Sequence, residues 1–127
     1  MLRPYLISSL LASCGCFPSF VVTSATVGPA VPSAEPNCPV TFSTERTQDL
    51  FPTHEQVGVI CFSAHDDAVI GRNRSDVERV ILYRPGEAHD AVRREACSLG
   101  GELVAPIGIC GRFDDLELSV WRRRRPQ

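Results

Sequence analysis

Apolar residues are spread unevenly along the chain, and their spacing divides it into elements. From Gln56 to Ser63, Val57, Val59 and Cys61 fall on one face and Gly58, Ile60 and Phe62 on the other, an apolar run on both sides that predicts a central strand. His65-Asp66-Asp67 and Gly71-Arg72-Asn73-Arg74 then form a polar loop. Val77 to Tyr83 carries two patterns. Ser75-Asp76-Val77-Glu78 has the spacing of a capping box, whereas Val80-Ile81-Leu82-Tyr83 has the composition of a strand. The strand is the preferred reading, ended by Pro85-Gly86.

Glu87 to Leu99 reads as a helix, the best-defined element of the chain. Ala88, Ala91, Val92, Ala96 and Leu99 lie within about 100° of one another and form one apolar stripe. Asp90 and Arg94 stand four residues apart in the favourable order, and Gly100-Gly101 supplies a left-handed C-terminal cap. Leu103 to Ile107 predicts a further strand, with a free edge or a bulge near Pro106. Leu116 to Trp121 alternates as another. This order implies an α+β fold: a small two-layer domain with one amphipathic helix packed on a three- to four-stranded mixed sheet. Its other sheet face needs a partner or a covering segment.

The N-terminal end has a different character. Leu6 to Leu11 is an apolar run broken only by Ser8 and Ser9, far shorter than the roughly 20 residues a membrane span needs. It closes on Leu11-Ala12-Ser13-Cys14, which has the residue order of a bacterial lipoprotein signal: aliphatic, small, small, cysteine. Residues 1–13 are therefore read as a signal peptide and Cys14 as the thiol that carries diacylglycerol. Gly15 is not the aspartate of an inner-membrane retention signal, so the expected address is the outer membrane facing the periplasm. The rival reading is simple secretion, with a cut after Thr23-Ser24-Ala25. Pro18, Pro29, Pro32 and Pro36 mark residues 14–37 as a lipidated, proline-rich tether, whose 21 residues from Phe17 would reach about 65 Å if extended as polyproline II. The domain is expected over residues 38–121 and an arginine-rich tail over 122–127.

Composition narrows the partners. The 127 residues leave room for one small domain, and without Arg3 of the signal the mature chain has 12 basic against 15 acidic side chains, a formal charge of −3. That balance gives no general affinity for polyanions. All 13 basic residues are arginine, a bias that reads as coding composition.

A domain this small relies on covalent staples. With Cys14 lipidated and Cys16 set aside, Cys38, Cys61, Cys97 and Cys110 allow three pairings in an oxidising compartment. Cys97 lies about 160° from the apolar stripe, on the helix face turned from the sheet. Cys38, leading out of the tether, is the thiol most free to cross that face. The expected bridges are therefore Cys38–Cys97 and Cys61–Cys110, the second joining the same ends of two parallel neighbouring strands. Free or metal-bound thiols are the competing reading, and no C-x-x-C spacing supports zinc.

Val57-Gly58-Val59-Ile60-Cys61, the polar loop, Ala91-Val92-Arg93-Arg94-Glu95-Ala96 and Leu99-Gly100-Gly101-Glu102-Leu103-Val104, followed by Cys110, resemble the outer-membrane stress-sensing lipoprotein of the Rcs phosphorelay and related small bacterial lipoproteins. The resemblance implies a non-catalytic, disulfide-stapled domain that contacts other envelope proteins. This chain departs from it by placing Cys97 within the helix and by lacking a pair of closely following cysteines.

Candidate chemistry adds two features. His54, His65 and His89 with Asp66, Asp67, Asp114 and Asp115 supply atoms for a metal site or an acid/base pair, but their spacing matches no motif and no G-x-S-x-G, H-E-x-x-H or P-loop occurs. The expected function is a membrane-anchored, non-catalytic binding module with no cofactor; the alternative is a periplasmic metal-binding or hydrolytic protein built on His65, Asp66 and Asp67. Arg122, Arg123, Arg124 and Arg125 form a candidate anion-binding group, since each guanidinium gives bidentate, charge-assisted contacts. Export from the cytosol excludes nucleic acid as their partner.

Overall fold

The computed structural model describes residues 20–64, 74–111 and 115–125. The elements run β1 (Phe20–Thr26), β2 (Thr41–Phe42), α1 (Thr47–Leu50), β3 (His54–Ala64), α2 (Arg74–Tyr83), α3 (Glu87–Ser98), β4 (Leu103–Ile109) and β5 (Leu116–Arg123). The strands form one mixed sheet in the order β1-β3-β5-β4-β2, antiparallel throughout except for the short β2·β4 pair. The fold is α+β and held by two disulfides, Cys38–Cys97 and Cys61–Cys110. Among the described residues no helix is long and apolar enough to cross a membrane.

Two layers follow from the alternation. Ile60 and Phe62 of β3 with Leu116, Leu118 and Val120 of β5 turn to one face, where Val77 and Ile81 of α2 and Ala88, Val92 and Ala96 of α3 close over them. The helix over Val77 to Tyr83 corrects the expected strand. Val77, Val80 and Ile81 stand at i, i+3 and i+4, and that period, shared with the capping-box spacing, prevails over the local strand preference of the β-branched run.

The sheet also has more strands than expected, because residues assigned to the tether belong to it. Phe20 to Thr26 pairs along its whole length with Ala64 to Gly58. Phe20 and Val22 pack against the core, and Phe20 stacks on Phe62 at 5.1 Å between ring centroids. The domain thus includes residues upstream of the expected boundary at Cys38, from Phe20 onward among the described residues. Residues 31–38 are likewise engaged: Ala34 donates its N–H to the carbonyl of Cys97 at 2.8 Å, and Ser33 Oγ donates to that of Ser98 at 2.7 Å.

This crossing segment explains the first disulfide. Cys97 is wholly buried yet stands outside the core between helices and sheet, covered by the segment that brings Cys38 to it. The second bridge has a different setting from that expected. β3 and β4 run parallel but are not neighbours, since β5 lies between them. Cys110 follows the end of β4, where its N–H meets the Asp115 carbonyl at 3.3 Å and the chain has turned back toward Cys61. Pro106 sits at a register shift of β4 against β5, the bulge its missing N–H favours. The ion pair on α3 joins Asp90 to Arg93 at 3.1 Å, one residue short of the expected Arg94.

α3 ends in a Schellman motif. Gly100 N–H bonds the Cys97 carbonyl and Gly101 N–H that of Ala96, with Gly100 at φ +78°. A Cβ on Gly100 would lie 2.6 Å from Val31 Cγ1 and 2.7 Å from the Pro32 carbonyl oxygen. Gly100→Ala is therefore expected to lower stability by about 2 kcal/mol or more, from backbone conformation and crowding together. Urea denaturation measures it, and a change under about 0.5 kcal/mol would show that the crossing segment gives way freely.

Candidate functional site

The register of β3 against β5 gathers the arginines at one end of the sheet. His54 lies opposite Arg123 and Glu55 opposite Arg122, so Arg122 and Arg123 close strand β5 rather than begin a tail. Arg122 Nε donates to Glu55 Oε1 at 2.6 Å. Arg124 is held twice, its N–H on the Thr53 carbonyl and its Nε on the Phe51 carbonyl, both at 2.9 Å. The Arg123 N–H donates to Glu102 Oε1 at 2.7 Å.

The four arginines therefore divide by role. Arg122 and Arg124 fasten β5 to β3 and to the turn after α1. The side chains of Arg123 and Arg125 are exposed and make no hydrogen bond or ion pair among the described residues. Two clefts open beside them. One, of about 280 Å³, lies between Val31, Pro32 and Cys38 on one side and Gly101, Arg122 and Arg125 on the other. The second, of about 440 Å³, is lined by Thr41, His54, Glu102, Leu103 and Arg123. Glu102 lines both, and with Glu55 it offsets part of the positive charge. Carboxylate or phosphate groups are the anions that an exposed guanidinium holds.

No local sequence pattern links Glu55 or Glu102 to the arginines of this end. The register of β3 against β5 carries Glu55 across from Arg122, and the turn before β4 brings Glu102 to the Arg123 N–H.

Among the described residues, His54 and His89 have separate settings. His54 Nδ1 lies 2.8 Å from Thr53 Oγ1 at the start of β3. His89 packs its ring on Phe42 at 4.1 Å, and its Nδ1 is 2.6 Å from the Ile81 carbonyl. A carbonyl only accepts, so Nδ1 carries the proton and His89 pins α3 to the end of α2 and to β2. Asp115 is buried and accepts a hydrogen bond from Ser63 Oγ at 2.9 Å. Among the described residues no group of three or more His, Cys, Asp or Glu is placed to hold a metal ion. His65, Asp66, Asp67 and Asp114 lie outside the described residues, as does Cys14.

No family model and no curated protein matches the chain. It is similar to one solved structure, the Francisella virulence factor FvfA in its orthorhombic crystal form. That similarity is at 14% sequence identity and a TM-score of 0.47, over 80% of this chain and 95% of that chain.

Proposed function

We propose that the protein is a lipid-anchored, non-catalytic module of the cell envelope, held by Cys14 at the outer membrane facing the periplasm, and that it binds an anionic envelope component through its arginine end. The observation that carries the reading is the position of β1. It begins at Phe20, six residues after Cys14. Cleavage before Cys14 leaves the whole strand in the mature chain. The competing cut after Ala25 would remove six of its seven residues and uncover Phe62 on β3. Two disulfides within one small domain suit the oxidising compartment that either export route reaches.

On this reading the same position favours one orientation. Six residues span at most about 20 Å, so the end of the sheet at Phe20 and Ala64 stays close to the bilayer. His54 and Arg123 lie at the other end of β3, ten residues along, or about 33 Å away. Arg123 and Arg125 are thus directed away from the membrane that holds the anchor. This favours an anionic partner off the bilayer over the head groups of the same membrane. The resemblance to the Rcs lipoprotein points the same way, toward contact with other envelope proteins.

Intact mass of the membrane-extracted protein tests the reading. The expected species begins at Cys14, carries diacylglycerol, and yields four further thiols of the domain only after reduction. Cys14→Ala is expected to move the protein out of the membrane fraction. A species beginning at Thr26 would overturn the proposal.

A further inference from the structure

The two edges of the sheet are built differently. β2 at one edge has two residues and is followed by the charged Glu45-Arg46. β1 at the other has seven, Phe-Val-Val-Thr-Ser-Ala-Thr, with no charge, proline or glycine. Short strands, charges and prolines are the usual devices that keep an edge from pairing, and β1 has none of them.

Its hydrogen-bonding groups can be assigned from the register. The Val27 N–H bonds the Val57 carbonyl, and the Cα partners run in the same register from Ala25 and Val59 to Phe20 and Ala64. Antiparallel ladders alternate, so Val21, Thr23 and Ala25 direct their N–H and C=O groups to β3. Phe20, Val22, Ser24 and Thr26 direct theirs outward, where no described strand meets them. Val21 is also 41% exposed on the sheet face away from the helices.

We infer that a second copy of this chain pairs with that edge, β1 against β1 about a two-fold axis at Thr23. In this register Phe20 faces Thr26 of the second copy and Val22 faces Ser24. The outward residues then form hydrogen-bonded pairs, about eight bonds in all, and the two sheets join as one of ten strands. Val21 comes opposite Ala25 of the second copy, which covers the exposed valine; the strand pair itself carries no charge, and the nearest carboxylate, Glu95, is held by Ser24 Oγ on the helix face. The occupant is a second copy because the strand is self-complementary under the two-fold. After cleavage before Cys14, only six residues precede Phe20, with Pro18 among them, too few to turn and lie along seven. The pairing rests on the cleavage before Cys14 that leaves β1 in the mature chain, but not on the lipid; an intact mass beginning at Cys14 with a monomeric protein would refute the pairing alone, and a mass beginning at Thr26 would refute the anchoring reading.

The test uses the full chain in its membrane and in detergent. With p-benzoylphenylalanine placed at Thr23, irradiation is expected to give an adduct of twice the chain mass. The same group at Thr41 on the opposite edge is expected to give none. Ser24→Pro removes one outward N–H and the Ser24 Oγ donor to Glu95 and leaves the β1·β3 backbone bonds in place, so it is expected to cut the adduct about tenfold or more, whereas Ser24→Ala, which loses only the hydroxyl, is expected to keep it. Sedimentation of the unmodified protein in detergent is expected to give a dimer, and the Ser24→Pro protein a monomer with unchanged far-ultraviolet circular dichroism. A monomer for the unmodified chain, equal adducts at Thr23 and Thr41, or an adduct only to a different protein would overturn the inference.

Discussion

Paired replacement of the first bridge, Cys38→Ser with Cys97→Ala, is expected to lower stability by about 3–4 kcal/mol, the cost of reopening a loop of this length in the unfolded chain. The two cysteines are 59 residues apart. In a domain of about a hundred residues this lowers the melting temperature by roughly 10–20 °C. The loss is greater than the loop term alone where the bridge also holds structure. Cys97 is wholly buried under residues 31–38, and without the bond that segment is fastened by the Ala34 and Ser33 hydrogen bonds and by the packing of Val31 on the core. The two bridges interlock in sequence. With either bridge closed, the cysteines of the other are joined by a shorter path through it, along 38–61 and 97–110, than by their own 59 or 49 residues, so each bond contributes less while the other is intact. Full reduction is therefore expected to unfold the domain at 37 °C, while loss of the second bridge alone leaves it folded. Urea denaturation of each paired variant under non-reducing conditions, followed through the lone Trp121, measures both effects. A change under about 1 kcal/mol for the first pair would mean that the crossing segment docks without its bond.

What the sequence revealed and what it hid have physical causes. α3, its Gly100 cap and the pairing of four cysteines were legible because each depends on local geometry: a 3.6-residue stripe, a left-handed glycine, and the direction in which Cys97 leaves the helix. Strand β1 was hidden by its neighbours. Pro18, Pro29, Pro32 and Pro36 suggested an extended tether, yet no proline falls between residues 19 and 28, and that window holds the β-branched Val21, Val22, Thr23 and Thr26. Only the partner at β3 decides that such a window pairs rather than stays extended. α2 was hidden by the opposite conflict, a helical period written in residues that prefer strands. At the arginine end the sequence showed four cations, whereas the fold uses two of them as fasteners and leaves Arg123 and Arg125 outward. Which arginine does which follows from a cross-strand register that no local pattern encodes.

Trp121→Ala is expected to cost about 3–5 kcal/mol and to open the sheet face that the helices do not cover. Trp121 is fully buried in a small second core with Leu50, Leu103 and Ala105. Its indole N–H donates to Ser119 Oγ at 2.7 Å, and Ser119 in turn donates to the Ala105 carbonyl at 2.9 Å. The one-turn α1 is held by Leu50 in this core, by the ring of Phe51, edge-on to Trp121 at 5.3 Å, and by the two bonds from Arg124 to the turn after it. Deleting the indole removes the surface on which Leu50 and Phe51 rest, so residues 47–51 are expected to lose protection from hydrogen exchange while the helix face keeps its own. Ser119→Ala isolates the polar part of the effect: it leaves the indole N–H buried without its acceptor and is expected to cost about 1–3 kcal/mol with α1 still docked. Phe51→Ala, at a side chain 49% exposed, is expected to cost about 1 kcal/mol or less. Binding of an apolar dye should rise for Trp121→Ala alone, because only there is a continuous patch of β4 and β5 uncovered. Equal costs for the three variants, or unchanged exchange over residues 47–51 in Trp121→Ala, would mean that α1 is held by something other than this core.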